Sequence, residues 1–177
     1  MQIIAFGGLK GSGKSTCASI LEQMHPEEVY RTSFAKAVRE VAAAFFGVPV
    51  ETFTDPATKE VPTPLLRGFA PREVLRNISE AIKRIDNDFW VKAVHSELAP
   101  AQMLGYRRFV IDDLRFPHEV TAVRAWGGTI VFLDRGSVSD GHVSEQVDHI
   151  VPHAHFMISN LDDDMERLCT SLEGLKL

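Results

Sequence analysis

With 177 residues and a formal net charge of −5, the chain has the length of one ordinary domain and no excess of basic residues. Its hydrophobic fraction of 45% and charged fraction of 24% are typical of a globular protein that folds in water. These values disfavour a general nucleic-acid-binding protein, a protein of anionic membrane surfaces, and a membrane-spanning chain, which needs about 20 consecutive apolar residues.

The first quarter of the chain alternates between strand and helix patterns. Short apolar runs predict strands, and apolar residues at helical spacing predict the helices that follow them. The predicted elements are a strand at Gln2–Phe6, a helix carrying the apolar stripe from Cys17 to Met24, a strand at Val29–Phe34 and a helix ending near Phe46.

The middle of the chain is interrupted by prolines and then becomes helical. Four prolines within residues 48–70 predict irregular turns, and Pro71 begins a helix at a position where a missing N–H costs little. A further helix is predicted over Asp86–Leu98, ending near Pro100. We expect residues of about 48–100 to form a substrate-binding insertion.

The last third returns to alternating strands and helices. The predicted elements are a strand at Arg108–Ile111, a helix at Pro117–Trp126, a strand at Thr129–Leu133, a polar loop at 135–152, a strand at His155–Ile158 and a helix at Leu161–Leu172. Strands that are apolar on both faces and separated by helices indicate a buried parallel sheet. The prediction is therefore a single α/β domain over residues 1–177, a three-layer sandwich of a parallel β-sheet flanked by helices.

The segment Gly8–Ser15 (GLKGSGKS) matches the phosphate-binding pattern G-x-x-x-x-G-K-[ST] in full, between a predicted strand and a predicted helix. Glycines let backbone N–H groups turn inward around a phosphate, and the start of the helix adds partial positive charge. Lys14 should reach the β- and γ-phosphates of ATP, and the Ser15 hydroxyl should ligate Mg²⁺. The predicted ATP-binding residues of this segment are Gly8, Gly11, Ser12, Gly13, Lys14, Ser15 and Thr16.

Acidic residues follow a buried strand at Asp112 and Asp113, where the ligands of open α/β sheets bind. Asp112 is the predicted Mg²⁺ ligand, although the sequence leaves open which of the two carboxylates serves the metal. Phosphoryl transfer between two anions also requires cations to neutralise the transition state. The candidate cations are Lys10, Lys36, Arg39, Arg72, Arg76, Arg115 and Arg135, of which Arg72 and Arg115 have the most suggestive positions.

Four stretches of the chain, in this order, resemble bacteriophage deoxynucleoside monophosphate kinases, and together they cover about two thirds of the sequence. The first is generic, while the last two together are fairly specific. The stretches are Gly8–Ser15; Pro71-Arg72-Glu73 with the downstream Phe89-Trp90-Val91; Asp113–Glu119 (DLRFPHE) followed by Gly127-Gly128; and His142–Glu145 (HVSE) with Ile158-Ser159-Asn160.

The resemblance implies transfer of the γ-phosphate of ATP to a deoxynucleoside monophosphate, with ATP and Mg²⁺ as cofactors. The two cysteines suggest no disulfide framework, so we expect the protein to act in the cytoplasm of a cell or infected host. The resemblance also implies catalytic roles for Lys14, Arg72, Asp113 and Arg115. Arg135 and Asn160 would contact ATP, Asn160 near the base, and residues of about 135–147 would form a lid-like loop. The predicted substrate-binding residues are Lys36, Arg72, Arg76, Asp113, Arg115, His142 and Glu145.

Several alternatives stay open at this stage. Arg76, Ser79-Glu80 and Leu161 depart from the family pattern, so the accepted base is not determined. Dephospho-coenzyme A kinases and phosphomevalonate kinases share the phosphate-binding loop, and a regulatory ATPase would transfer phosphate to no small acceptor. The oligomeric state is undetermined, with a homodimer as one arrangement. The histidines His142, His149, His153 and His155 match no standard zinc spacing, and we expect them to be surface or hydrogen-bonding residues.

Overall fold

The computed structural model describes residues 1–136, 148–160 and 165–174. It divides the chain into two compact units. One consists of Met1–Ser33 together with Ser96–Leu177, and the other is Phe34–His95. The second unit overlaps the predicted substrate-binding insertion, but it begins earlier because it includes the whole helix that follows the second strand.

The first unit is built on a parallel sheet whose strand order is β2-β3-β1-β4-β5 in the described part of the chain. Apart from Gln2, every residue of β1 is buried, as expected for a central strand that is covered on both faces. The predicted α/β fold class is confirmed. The strands are β1 (Gln2–Gly7), β2 (Val29–Thr32), β3 (Arg108–Leu114), β4 (Thr129–Asp134) and β5 (Phe156–Ser159).

The helices of the described residues are α1 (Lys14–Met24), α2 (Phe34–Phe46), α3 (Pro71–Lys83), α4 (Phe89–Met103), α5 (Pro117–Ala125) and α6 (Met165–Gly174). Helices α1, α2, α5 and α6 each come after a strand, and α3 and α4 come between α2 and β3. None of them is both long enough and apolar enough to cross a membrane. Apolar side chains of α1 and α6 pack with those of β1, β3 and β4 in one buried cluster. Cys17 of α1 is fully buried there, as predicted, and burial raises the pKa of its thiol to about 12.

The second unit has its own small core. Ala42 of α2 and Val74 of α3 pack with Phe53 and Leu66, which belong to two short 3-10 turns. These turns, at Val50–Phe53 and Pro64–Leu66, are the only regular structure between α2 and α3. The proline-rich stretch is therefore irregular, as predicted, yet it is anchored by buried side chains.

Several predicted boundaries were wrong, including the ends of α4 and β3. Helix α4 continues through Pro100 to Met103, because Ala101 in the final turn is buried, and Gly105 just beyond the helix has a φ of +93° that suits a helix terminus. Strand β3 continues past Ile111, since pairing with β1 extends to Gly7 opposite Leu114. Asp112 and Asp113 consequently lie within the strand. The predicted start of the last helix at Leu161 falls outside the described residues.

Candidate functional site

The loop between β1 and α1 has a conformation that depends on its glycines. Gly8 has a φ of +143°, and a Cβ atom there would lie 2.5 Å from the Leu133 carbonyl oxygen and 2.6 Å from Ser12 Oγ. Gly13 has a φ of +99°, and a Cβ atom there would lie 2.6 Å from Asn160 Nδ2. Gly11, with a φ of +77°, has no atom within 4 Å of its ideal Cβ position. The loop thus packs tightly at both ends and is open in its centre.

Lys14 points back into this loop from the first turn of α1. Its Nζ donates hydrogen bonds to the Gly8 carbonyl at 2.7 Å and to the Leu9 carbonyl at 2.6 Å, and it lies 3.5 Å from Ser12 Oγ. The residue is only 6% exposed. A buried ammonium held by carbonyl dipoles is poised to exchange them for a full negative charge, such as a phosphate oxygen, because charge-assisted hydrogen bonds are stronger.

Two residues from the neighbouring strands brace the same loop. Asn160, just after β5, is 8% exposed and donates from Nδ2 to the Ser12 carbonyl at 3.1 Å. Arg135, just after β4, donates from Nη1 to the Gly11 carbonyl at 2.7 Å. The sequence placed both residues at the ATP site, with Asn160 near the base. In the structure they contact the loop backbone, because the carboxyl ends of β4 and β5 follow that of β1 along the sheet edge.

The start of α1 offers groups for an anion and a cation. The N-cap residue Gly13 provides no side-chain hydrogen bond to the helix, so the first N–H groups are not capped by it. Ser15 and Thr16, in the first turn, are both exposed and carry hydroxyl groups. The Ser15 hydroxyl is an oxygen ligand of the type that Mg²⁺ prefers.

Asp112 is held by an arginine that the sequence analysis did not identify. Arg31 of β2 donates from Nε at 2.9 Å and from Nη2 at 2.5 Å, both to Oδ2 of Asp112. Its Nη1 donates to Ser19 Oγ of α1 at 2.6 Å. Oδ1 of Asp112 makes no hydrogen bond within the described residues, so the carboxylate keeps one oxygen for a Mg²⁺ ion or a metal-bound water. The donor set of Ser15 and Asp112 therefore fits magnesium.

Arg115 follows Asp113 in a backbone segment that a buried glutamate holds in place. Glu119 of α5 is 4% exposed, and its Oε2 accepts hydrogen bonds from the backbone N–H groups of Arg115 at 2.7 Å and Phe116 at 2.9 Å. The sequence analysis gave Glu119 no role. The sequence signal was Pro117 at the first helical position and a glutamate two residues later. A glutamate three residues after the residue that precedes a helix has the spacing of a helix cap.

The predicted substrate-binding cations Lys36, Arg72 and Arg76 lie in the second unit. Lys36 is in the first turns of α2, Arg72 is in the first turn of α3, and Arg76 is one turn later on the same face of α3. Arg72 forms an ion pair with Glu60, which the sequence analysis did not identify either. His142, Glu145 and most of the predicted lid-like loop of about 135–147 fall outside the described residues.

Two of the described histidines make ordinary hydrogen-bonding contacts, whereas Nε2 of His149 is buried and has no hydrogen-bond partner within the described residues, contrary to the prediction for it. His155 Nδ1 accepts a hydrogen bond from the Ile130 N–H at 3.0 Å, and His153 Nδ1 lies 3.0 Å from Arg124 Nη1. The described ranges contain no group of three or more histidine, cysteine, aspartate or glutamate side chains that could hold a metal ion.

The strand order, the glycine-rich loop after β1 and the lysine inside it define a P-loop nucleotide-binding fold. A family model described as deoxynucleotide monophosphate kinase matches residues 80–172, which is more than half of the chain. The chain belongs to the deoxynucleotide monophosphate kinase family, and the resemblance in the sequence is confirmed at that level. The matched range contains Asp112, Asp113 and Arg115, while the P-loop and Arg72 lie before it.

Two viral proteins are similar in sequence. The "Putative deoxynucleotide monophosphate kinase" of Acanthamoeba polyphaga mimivirus is 28% identical over 158 residues, covering 82% of this chain and 81% of that protein. "Uncharacterized protein ORF77" of Ictalurid herpesvirus 1 (strain Auburn) is 29% identical over 145 residues. That match covers 81% of this chain but spans only 55% of the herpesvirus protein.

Among solved structures, two shikimate kinases align along nearly the whole chain. The enzyme from Bacteroides thetaiotaomicron aligns over 99% of this chain and 96% of its own, at 13% identity and a TM-score of 0.40. The enzyme from Aquifex aeolicus aligns over 98% of this chain and 97% of its own, at 16% identity and a TM-score of 0.43. These scores are too low to support an inference about substrate or mechanism.

Proposed function

We propose that this protein transfers the γ-phosphate of ATP to a deoxynucleoside monophosphate, yielding ADP and the deoxynucleoside diphosphate. The observation that carries the proposal is the position of Lys14, a buried ammonium inside a loop that only glycines can form. Membership of the deoxynucleotide monophosphate kinase family supplies the class of acceptor.

The donor end of the reaction is assigned to the P-loop. Bound ATP with Mg²⁺ would supply the transferable phosphoryl group, its charge partly neutralised by the metal. Lys14 would exchange the Gly8 and Leu9 carbonyls for phosphate oxygens, and Ser15 with Oδ1 of Asp112 would hold the metal. Arg31 keeps the Asp112 carboxylate in one orientation, and Asn160 and Arg135 hold the loop backbone in shape.

The acceptor end is assigned to the cations. A nucleoside monophosphate is already ionised at neutral pH, so its oxygen needs no general base, and we assign none to Asp113. Arg72 and Arg115 would bind the acceptor phosphate, and bidentate guanidinium contacts suit both its shape and its charge. Lys36 and Arg76 would add positive potential. His142 and Glu145, in the predicted lid-like loop, would help to exclude water, which otherwise competes for the transferred phosphoryl group.

The test is an acceptor panel with ATP and Mg²⁺, following both ADP and the phosphorylated product. The panel contains dAMP, dGMP, dCMP, dTMP, the four ribonucleoside monophosphates, dephospho-coenzyme A and phosphomevalonate. We expect diphosphate from at least one deoxynucleotide. Lys14→Ala should lower kcat by roughly 10²- to 10³-fold, the loss typical of removing one group that stabilises transition-state charge.

Lys92→Ala is the control, because it removes an exposed lysine that lies outside the P-loop and pairs with Asp86. It should change kcat far less than Lys14→Ala does. Product formed only from dephospho-coenzyme A or phosphomevalonate would replace the proposed acceptor by that one. Slow ATP hydrolysis without transfer to any acceptor would contradict the kinase assignment and indicate a regulatory ATPase.

A further inference from the structure

Glu60 lies against the guanidinium of Arg72. Oε1 of Glu60 is 2.5 Å from Nε of Arg72, so the two groups form an ion pair, but the contact is not directed along the N–H bond as a hydrogen bond would be. The Nε atom is itself buried, while the Arg72 side chain as a whole is 29% exposed. The exposed part of the side chain therefore consists of other atoms. Within the described residues, Glu60 is the only carboxylate paired with Arg72, and Nη1 and Nη2 make no hydrogen bond.

The backbone around Glu60 is fixed, so the contact does not depend on a loose loop. The N–H of Lys59 donates to the Asp55 carbonyl at 3.1 Å, and that of Val61 donates to the Thr58 carbonyl at 2.8 Å. The Lys59 carbonyl accepts from the N–H of Arg72 at 2.9 Å. The residue before Glu60 is thereby tied directly to the first turn of α3. Main-chain hydrogen bonds thus hold Arg72 itself and both residues adjacent to Glu60.

A guanidinium whose Nε is occupied presents its two terminal nitrogens together. This pair of parallel N–H groups is the part of arginine that matches two oxygens of a phosphate. A carboxylate at Nε also limits rotation of the guanidinium, which lowers the ordering cost when the anion binds. A competing effect has the opposite sign, because the negative charge of Glu60 weakens the attraction between Arg72 and an incoming phosphate.

We propose that Glu60 is a positioning residue for the acceptor, holding Nε of Arg72 so that Nη1 and Nη2 together bind the phosphate of the nucleoside monophosphate. The inference rests on the proposed function, since it assigns a partner to the arginine given the acceptor phosphate. It predicts that Glu60 affects binding of the monophosphate and not binding of ATP. A purely structural ion pair would affect stability and leave the two affinities equally unchanged.

The experiment measures the dissociation constants of the preferred monophosphate and of ATP by calorimetry, together with kcat and both KM values. We expect Glu60→Gln to weaken monophosphate binding about threefold to fivefold and Glu60→Ala about tenfold, because a partly exposed ion pair acts here only by limiting the rotation of the Arg72 guanidinium. The dissociation constant of ATP should change less than about twofold. Glu60→Asp should recover part of the loss.

Asp86→Asn is the matched control. Asp86 pairs with Lys92 in the same unit at 2.7 Å, and its side chain is 34% exposed, compared with 55% for Glu60. Its loss should leave monophosphate binding unchanged. In an Arg72→Lys background, which has no Nε to hold, Glu60→Gln should have no further effect on that affinity.

The outcomes separate the two proposals. If Glu60→Gln binds the monophosphate as well as wild type does, or more tightly, the positioning role is overturned. Tighter binding would show that the negative charge of Glu60 competes with the phosphate. If a monophosphate binds but is not phosphorylated, the kinase reaction is contradicted. The role of Glu60 is then decided by the dissociation constants of the monophosphate alone. Wild-type protein that binds no monophosphate overturns both.

Discussion

The P-loop and the 55–72 segment, which contains Glu60 and Arg72, are both proposed to bind phosphate groups, but they are held in different ways. In the P-loop, Ser12 is fully buried and Lys14 nearly so, and backbone carbonyls accept from Lys14, Arg135 and Asn160. In the 55–72 segment most residues are exposed, and short turns and one ion pair add to the anchoring by the buried side chain of Leu66. The P-loop is thus fixed by close packing of its backbone, whereas the 55–72 segment exposes most of its polar side chains and is held by the buried Leu66 side chain together with polar contacts.

The largest expected effect is the loss in the free energy of unfolding when a methyl group is added to the closely packed end of the P-loop. Gly13→Ala combines a backbone strain of about 1–2 kcal/mol at positive φ with a collision against Asn160, which costs about a further 1–3 kcal/mol. Gly11→Ala should cost only the strain, since no atom lies within 4 Å of its Cβ position. Urea unfolding at pH 7 measures the loss in the free energy of unfolding for each of the two variants.

The double variant Gly13→Ala/Asn160→Ala checks the cause of that difference. Removing the Asn160 amide removes the atom that lies 2.6 Å from the new methyl group, so the two substitutions should destabilise by less than the sum of their separate effects. Equal losses for Gly11→Ala and Gly13→Ala would show that packing does not fix this end of the loop.

A smaller effect is expected from Asn160→Ala alone. Loss of the hydrogen bond to the Ser12 carbonyl should lower the free energy of unfolding by about 1–2 kcal/mol and weaken binding of ATP. If Asn160 acts by bracing the loop, the affinities for ATP and GTP should fall by the same factor. A selective loss of ATP affinity would instead support the sequence prediction that Asn160 lies near the base. Asn77→Ala, an exposed asparagine of α3, is the control and should change stability by less than about 0.5 kcal/mol.

The smallest effect concerns Asp55, in the turn before Glu60. Its carboxylate accepts from the Ala57 N–H and then from Thr58 Oγ1, and these hydrogen bonds lower the pKa of Asp55 below its ordinary value. The unfolded chain therefore takes up the proton first as the pH falls. The stabilisation is present above the unfolded pKa of about 3.9, and it is lost as the pH falls through the lower folded pKa.

Asp55→Asn removes this titration, because an amide does not ionise in that range. The urea midpoint of wild-type protein should fall slightly more between pH 5 and pH 3 than that of Asp55→Asn. Asp88→Asn changes another exposed aspartate of the same unit, outside this turn, and serves as the control. Identical pH dependence in wild type and Asp55→Asn would show that the turn is not held by the ionised carboxylate.

The sequence by itself determined the fold class and the position of the P-loop. Both depend on local properties: apolar runs and helical periodicity set the order of elements, and the glycines of Gly8–Ser15 allow a backbone that other residues cannot adopt. The family was likewise readable from motifs that are contiguous in the chain. Helix α4 was predicted, but its end was placed too early, because a proline is a weaker signal than the burial of Ala101 beyond it.

Only the tertiary structure decided which side chains hold the predicted site residues. Arg31 meets Asp112 across 81 positions of sequence because β2 pairs with β3, and Asn160 meets Ser12 across 148 positions. Glu60 meets Arg72 because the Lys59 carbonyl is bonded to the first turn of α3. Sequence patterns report neighbours within a turn or along a strand, whereas these contacts depend on strand order and chain path, which are set by the packing of the whole unit.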